Sequence, residues 1–237
     1  MPIGFAGIYH LVWFGLYLPW AAFRSGRKFE THPLPPRPRL FLSVVVQQVA
    51  FAALSLLVSW GENIPLFPPL NFRLGPLALG VGLLAVGFTL LGPRWRHAVE
   101  QQERRLHMCM PRTPRERWLW AGVSVAAGFG EEVTYRGVLF VLLARLLGGP
   151  LPAAIIASAV FGFSHILQGW KNAVIIGIVA LVMHGLVIWS GSLYIAMAVH
   201  AIYDLVAGFT YGRLGERLGY PSQGIEVPAP GLARPAQ

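Results

Sequence analysis

Apolar residues run through this chain in stretches of about twenty, the length an α-helix needs to cross a hydrocarbon core, separated by short polar or basic connections. The stretches fall at residues 4–23, 40–60, 74–92, 118–147, 152–169, 172–190 and 192–211. They predict an all-α polytopic membrane protein with seven transmembrane helices. The first stretch is too long and too aromatic for a secretory signal, and it has neither a charged leader nor a small-residue cleavage site, so it reads as a retained helix. The fourth is the exception in length. Residues 118–147 would extend about 45 Å as a helix, against a hydrocarbon core of about 30 Å. Such a helix must protrude or tilt, or it breaks at Gly128 and Gly130, which would make eight spans. One protruding helix is the expectation.

The connections predict an orientation, because short cytoplasmic loops are enriched in Lys and Arg. The connection after the first stretch carries Arg24, Arg27, Lys28, Arg37 and Arg39, and the one after the third carries Arg94, Arg96, Arg104, Arg105, Arg112, Arg115 and Arg117. The connections after the second, fourth and sixth stretches carry only Arg73 among them. Strict alternation then places the N-terminus outside and the C-terminus inside. Residues 93–117 are expected to form a partly amphipathic cytoplasmic helix on the membrane surface, with Arg104 and Arg105 facing anionic headgroups. Residues 1–117 are thus N-terminal membrane helices plus a basic surface segment, 118–211 a helical core, and 212–237 a disordered tail rich in Pro and Ala.

Composition agrees. Of 237 residues 55% are hydrophobic and 12% charged, with mean hydropathy +0.56, whereas soluble domains are about a quarter charged. The formal net charge of +9 raises nucleic acid as a partner, but the basic residues lie between apolar runs and do not line one face. The bilayer is the expected partner, not nucleic acid. Cys109 is the only cysteine, so no intrachain disulfide and no thiolate zinc site can form.

Against this background the charges inside the apolar stretches need a reason, since an ionisable group at bilayer depth costs at least about 2.5 kcal/mol. Glu131, Glu132 and Arg136 lie in the fourth stretch, His165 in the fifth, and His200 with Asp204, the chain's only aspartate, in the seventh. Residues four apart share a helix face, so Glu132 can pair with Arg136, Phe161 can lie beside His165, and Asp204 can face His200. Glu131 is rotated by about 100° from Glu132 and meets different neighbours. A carboxylate beside a guanidinium stays ionised, while its unpaired neighbour remains free to take a proton, as water activation requires. Glu131 is therefore the expected base, and Glu132 with Arg136 an electrostatic pair. His184 has no such partner and reads as a hydrogen bonder between packed helices. His10, His32, His97 and His107 are expected near the interfaces and solvated.

Glu-Glu-x-x-x-Arg at 131–136, Phe-x-x-x-His at 161–165 and His-x-x-x-Asp at 200–204, in this order on successive apolar segments, resemble the CPBP family. That family holds the type II CAAX prenyl endopeptidases and the bacterial Abi proteins linked to bacteriocin processing and self-immunity. The resemblance covers 118–211. It implies an intramembrane protease of glutamate type, in which Glu131 and His165 activate water and His200 with Asp204 stabilises the oxyanion, supported by Glu132, Arg136 and Phe161. It further implies a membrane-tethered protein or peptide substrate cut near its end, and a prokaryotic inner (plasma) membrane location. One position departs from the prenyl endopeptidases, which carry Asn where this chain has Asp204. An ionised carboxylate would repel a developing oxyanion, so Asp204 is expected to be neutral or to orient His200. No cofactor is required on this reading. Zinc is the alternative, because two histidines and a carboxylate can form an open catalytic site, although the chain has no His-Glu-x-x-His helix. A non-catalytic immunity or scaffold protein and a proton-coupled transporter are the other two functional classes open to such a polar set.

Overall fold

In the computed structural model, which describes residues 2–71 and 73–220, the described chain is helical throughout its regular structure. The elements are α1 (Phe5–Val12), a π-helical segment (Trp13–Tyr17), α2 (Leu18–Thr31), α3 (Arg37–Gly61), α4 (Leu74–Glu100), a 3₁₀ turn (Arg104–Cys109) and α5 (Pro114–Glu131). They continue with a second π-helical segment (Glu132–Leu139), α6 (Phe140–Leu147), α7 (Pro150–Ser164), a 3₁₀ turn (Ile166–Gln168), α8 (Trp170–Ser190) and α9 (Tyr194–Arg217). Four of these, α3, α4, α8 and α9, are long and apolar enough to cross a membrane, and α7 is a shorter apolar helix.

Local chemistry accounts for several of the ends. Thr113 caps α5 in a reciprocal box with Glu116, and Pro114 opens the helix where a missing N–H costs nothing. Gly148, in the left-handed region at φ 76°, ends α6, and Pro150 starts α7 at once. Gly191, at φ 71°, ends α8 in the same way.

The connections gather at two ends. At one end Arg37 donates to the carbonyl of His107 at 3.1 Å, and Tyr220 donates from its hydroxyl to the Glu103 carbonyl at 2.9 Å. Ala98, Val99, Leu106, Met110, Ala207, Tyr211 and Tyr220 form one buried cluster there, a cap over that end of the bundle. At the other end Glu62 accepts from the Gly7 amide at 2.9 Å, Arg145 donates to the Glu62 carbonyl at 3.1 Å, and Tyr194 donates to the Pro68 carbonyl at 3.0 Å.

Three expectations change. Residues 93–117 are not one surface helix: α4 carries Pro93 in its interior and continues to Glu100, and a buried 3₁₀ turn and a capped helix start follow. The tail does not begin at 212, because α9 runs to Arg217 and Tyr220 is buried against the cap; residues 221–237 lie outside the described residues. His10 and His107 are buried, the first hydrogen-bonded to Ser55 at 3.0 Å.

The long fourth stretch neither breaks at its glycines nor splits. It continues through the π-helical segment, every residue of which is buried. Val133 and Val138 pack with Val58, Leu66 and Leu193 on one side, while Tyr135 and Leu139 pack with Ala153, Ala157, Phe161 and Ala180 on the other. Gly128 serves close packing: a Cβ there would lie 2.9 Å from the Ala201 amide and 2.9 Å from the Met197 carbonyl. That approach brings α9 onto α5 one residue from His200.

Candidate active site

The polar residues of α5, the π-helical segment, α7 and α9 meet in one place. Glu131 Oε2 lies 3.8 Å from His165 Nε2 and 3.8 Å from His200 Nε2. His200 Nε2 is also 3.6 Å from Asp204 Oδ2, and its other nitrogen, Nδ1, donates to Glu132 Oε1 at 2.9 Å. Arg136 Nη1 approaches the same Glu132 oxygen at 3.2 Å.

Two physical features fix the rings. The His165 Nδ1 is 2.9 Å from the Phe161 carbonyl, and since a carbonyl only accepts, Nδ1 carries the hydrogen. In the neutral ring Nε2 is then the lone-pair nitrogen, and it is the one that faces Glu131. The Phe161 ring lies tilted against the same ring at 4.5 Å and under the Arg136 guanidinium at 4.1 Å. Phe161 therefore touches both the histidine of α7 and the cation of the π-helical segment. Tyr135 closes this side edge-on against Phe161 at 4.9 Å.

Exposure is graded across the site. The Glu132 side chain is 0% exposed and that of Asp204 30%, so Glu132 and Arg136 form the floor while Asp204 and His165 stand toward the mouth. Trp120 holds the Asp204 turn by donating to its carbonyl at 2.9 Å.

Seventeen residues separate Pro114 from Glu131, about 26 Å of helix, while the 15 residues of α7 extend only about 22 Å. Because α7 is short, His165 at its end stays at the level of Glu131, and the first turns of α5 stand in the cap.

Two features of the site are not those read from spacing. The group at hydrogen-bond distance from His200 is Glu132, from a different helix, and not Asp204 on its own helix. Gln48 of α3 also enters the site: its Nε2 donates to Glu131 Oε1 at 2.6 Å. Gln47 and Gln48 are a polar pair in the second apolar stretch, and the cost of polar groups at that depth was the signal that could have found them. His184 is hydrogen-bonded to Ser158 at 3.1 Å and to the Ala180 carbonyl at 2.9 Å, as a packing residue would be.

A zinc ion would have to use Glu131, His165, His200 and Asp204. Among the described residues no group of three or more His, Cys, Asp or Glu side chains is placed so that it could hold a metal ion. Cys109 is not a competing nucleophile, since burial in the first place and Asp204 in the second push its thiol up to about 12.

Residues 113–206 match the family model described as type II CAAX prenyl endopeptidase Rce1-like. This segment contains all three motifs, and the match supports placing the chain with the CPBP family of membrane proteases. No curated protein and no solved structure matches the chain. In this segment the chain is similar to membrane-embedded proteases of CAAX type.

Proposed function

We propose that the protein is an intramembrane endopeptidase of glutamate type, which hydrolyses a peptide bond near the end of a membrane-tethered substrate. The observation that carries this reading is the placement of Glu131 Oε2 at 3.8 Å from the Nε2 atoms of two histidines on different helices. A water between Glu131 Oε2 and the lone pair of His165 Nε2 gives a proton to the carboxylate as its oxygen bonds to the scissile carbonyl carbon. The carbonyl electron pair moves to oxygen. His200, protonated on both nitrogens, donates from Nε2 to that oxyanion while Glu132 accepts from Nδ1. When the carbon–nitrogen bond breaks, Glu131 returns its proton to the leaving amine. Asp204 balances the charge of the His200 ring from the mouth of the site, and Arg136 keeps Glu132 in place.

On this reading the described helices cross the bilayer seven times, with the N-terminus outside and the C-terminus inside. Arg37, which opens α3 directly after the connection 32–36, donates to His107 in the basic connection 101–113, so the two connections lie on one face, the cytoplasmic one by the charge of Arg37, Arg39, Arg104, Arg105 and Arg112. The site opens toward that half. The membrane is the inner membrane of a prokaryote.

The test uses the purified protein in phosphatidylcholine–phosphatidylglycerol vesicles with two probes, a farnesylated peptide ending in C-a-a-X and a library of unprenylated membrane-anchored peptides. New termini are read by mass spectrometry. Wild type cleaves one of the two; Glu131→Gln and His165→Ala lose about 10²–10⁴-fold in kcat, His200→Ala about 10²–10³-fold, and chelator changes nothing. Cleavage retained in Glu131→Gln removes the mechanism. Loss on chelation with recovery on adding zinc transfers it to a metal, and binding without cutting by wild type makes the protein a scaffold.

A further inference from the structure

The N-terminal helices lie outside the matched segment, yet one of them reaches the proposed base. Gln48 donates to Glu131 Oε1 at 2.6 Å, and Glu131 Oε2, which is buried and has no hydrogen-bond partner among the described residues, is the oxygen that faces both histidine rings. The terminal torsion of a glutamate is broad and two-fold. Pinning one oxygen decides where the other points. We propose that Gln48 is a positioning residue, whose amide holds the Glu131 carboxylate so that Oε2 faces His165 and His200. This rests on Glu131 being the base.

The backbone is arranged for this contact. A Cβ at Gly130 would lie 2.7 Å from the Gln48 carbonyl oxygen and 3.1 Å from its side-chain oxygen, so only glycine allows α3 to come this close. Two turns along the same face of α3, Ser55 shares a hydrogen bond with Thr134 at 3.0 Å. The helix is thus held on either side of the glutamate pair, once before it and once after. The amide also leaves its own oxygen buried with no partner among the described residues. A methionine would fill the same volume with no such oxygen, so packing alone does not account for a glutamine here.

The experiment compares wild type, Gln48→Met, Gln48→Glu, Glu131→Gln and the Gln48→Met/Glu131→Gln double variant. The first readout is cleavage, in vesicles, of whichever of the two peptide probes wild type cuts. Gln48→Met is expected to lower kcat about tenfold to hundredfold with KM unchanged, Gln48→Glu to lower it further, and the double variant to fall no lower than Glu131→Gln. The second readout needs no substrate: the carboxylate stretching bands of Glu131, isolated as the infrared difference between wild type and Glu131→Gln, are expected to shift in Gln48→Met. Bands that stay where they are overturn the proposal, as does a Gln48→Met variant whose kcat equals wild type or whose loss lies in KM and thermal midpoint alone. If Glu131→Gln stays active, the base assignment fails; if it is inactive while Gln48→Met is unimpaired, only the Gln48 inference fails.

Discussion

Glu132 is surrounded by partners that each depend on the others. It is 0% exposed, takes a hydrogen bond from His200 at 2.9 Å and faces Arg136 at 3.2 Å, while Arg136 itself rests on the Phe161 ring at 4.1 Å. A buried ion pair adds little over an apolar replacement, but removing one partner strands the other charge. Arg136→Met is therefore expected to destabilise the protein by about 3–5 kcal/mol, read as a lowered denaturation midpoint in detergent. Glu132→Gln combined with Arg136→Met is expected to recover part of that loss. An Arg136→Met variant as stable as wild type would show that the pair carries no such strain. The motif residues themselves were legible, because Glu131, Glu132, Arg136, His165, His200 and Asp204 are charged or titratable groups in apolar runs, and i,i+4 spacing put Arg136 beside Glu132. The partner of His200 was not. Spacing along one helix speaks only of neighbours on that helix, so it offered Asp204 and was silent about Glu132 on the facing one.

Among the elements, the seven apolar stretches each coincide with helix in the structure, since a run of apolar residues of that length has few other ways to satisfy its backbone. The ends agree where Gly and Pro set them, as at Gly148 and Pro150, and disagree where a tertiary contact decides: α4 continues past Pro93, and α7 stops at Ser164. The π-helical segment carries no sequence signature that hydrophobic periodicity could read, and it was not anticipated. Gly128 and Gly130 are legible in the sequence as the place where the helix could break, the alternative to one continuous helix, and in the structure they are points of contact. This leads to a prediction about the α5–α9 seam. Gly128→Val would drive a side chain into the Ala201 amide and Met197 carbonyl, each 2.9 Å from the new Cβ, and overpacking of this kind costs about 1–3 kcal/mol. Because Ala201 follows His200 directly, the expected result is a lowered unfolding midpoint together with a kcat loss of at least about tenfold on whichever peptide wild type cleaves. Gly122→Val is the control, since its Cβ would meet Val45 at an ordinary 3.7 Å. Equal activity in the two variants would mean that the seam does not position His200.

At the scale of the whole molecule, the cap ties the N-terminal helices to the matched segment. Arg37, at the start of α3, donates to the His107 carbonyl at 3.1 Å and stands 3.9 Å from Glu116, which in turn caps α5 through the Thr113 amide at 3.2 Å and accepts from the Arg112 amide at 2.8 Å. His107 sits at this junction, 2% exposed. Burial first, and Arg37 next, lower its pKa from 6.5 to about 4; Arg104 acts in the same direction, and the Pro35 carbonyl and Glu116 oppose it. An unfolded or opened cap would take up a proton near pH 6.5, but the closed cap does not until about pH 4. The opened state therefore binds more protons between those values, and the closed cap loses stability as pH falls through the window. Above about pH 7 the contribution is complete and further alkalinisation adds nothing. Hydrogen exchange of the amides in 101–113, corrected for the intrinsic pH dependence of exchange, should show this opening becoming easier from pH 7 to pH 4 in wild type. In His107→Phe, which keeps a buried ring and cannot take a proton, the slope should flatten while the exchange of residues 180–190, at the end of α8 away from the cap, follows wild type. A His107→Phe slope as steep as wild type would place the titrating group elsewhere, and a response of equal size in 180–190 would mean that acid loosens the whole bundle and not the cap that joins its two parts.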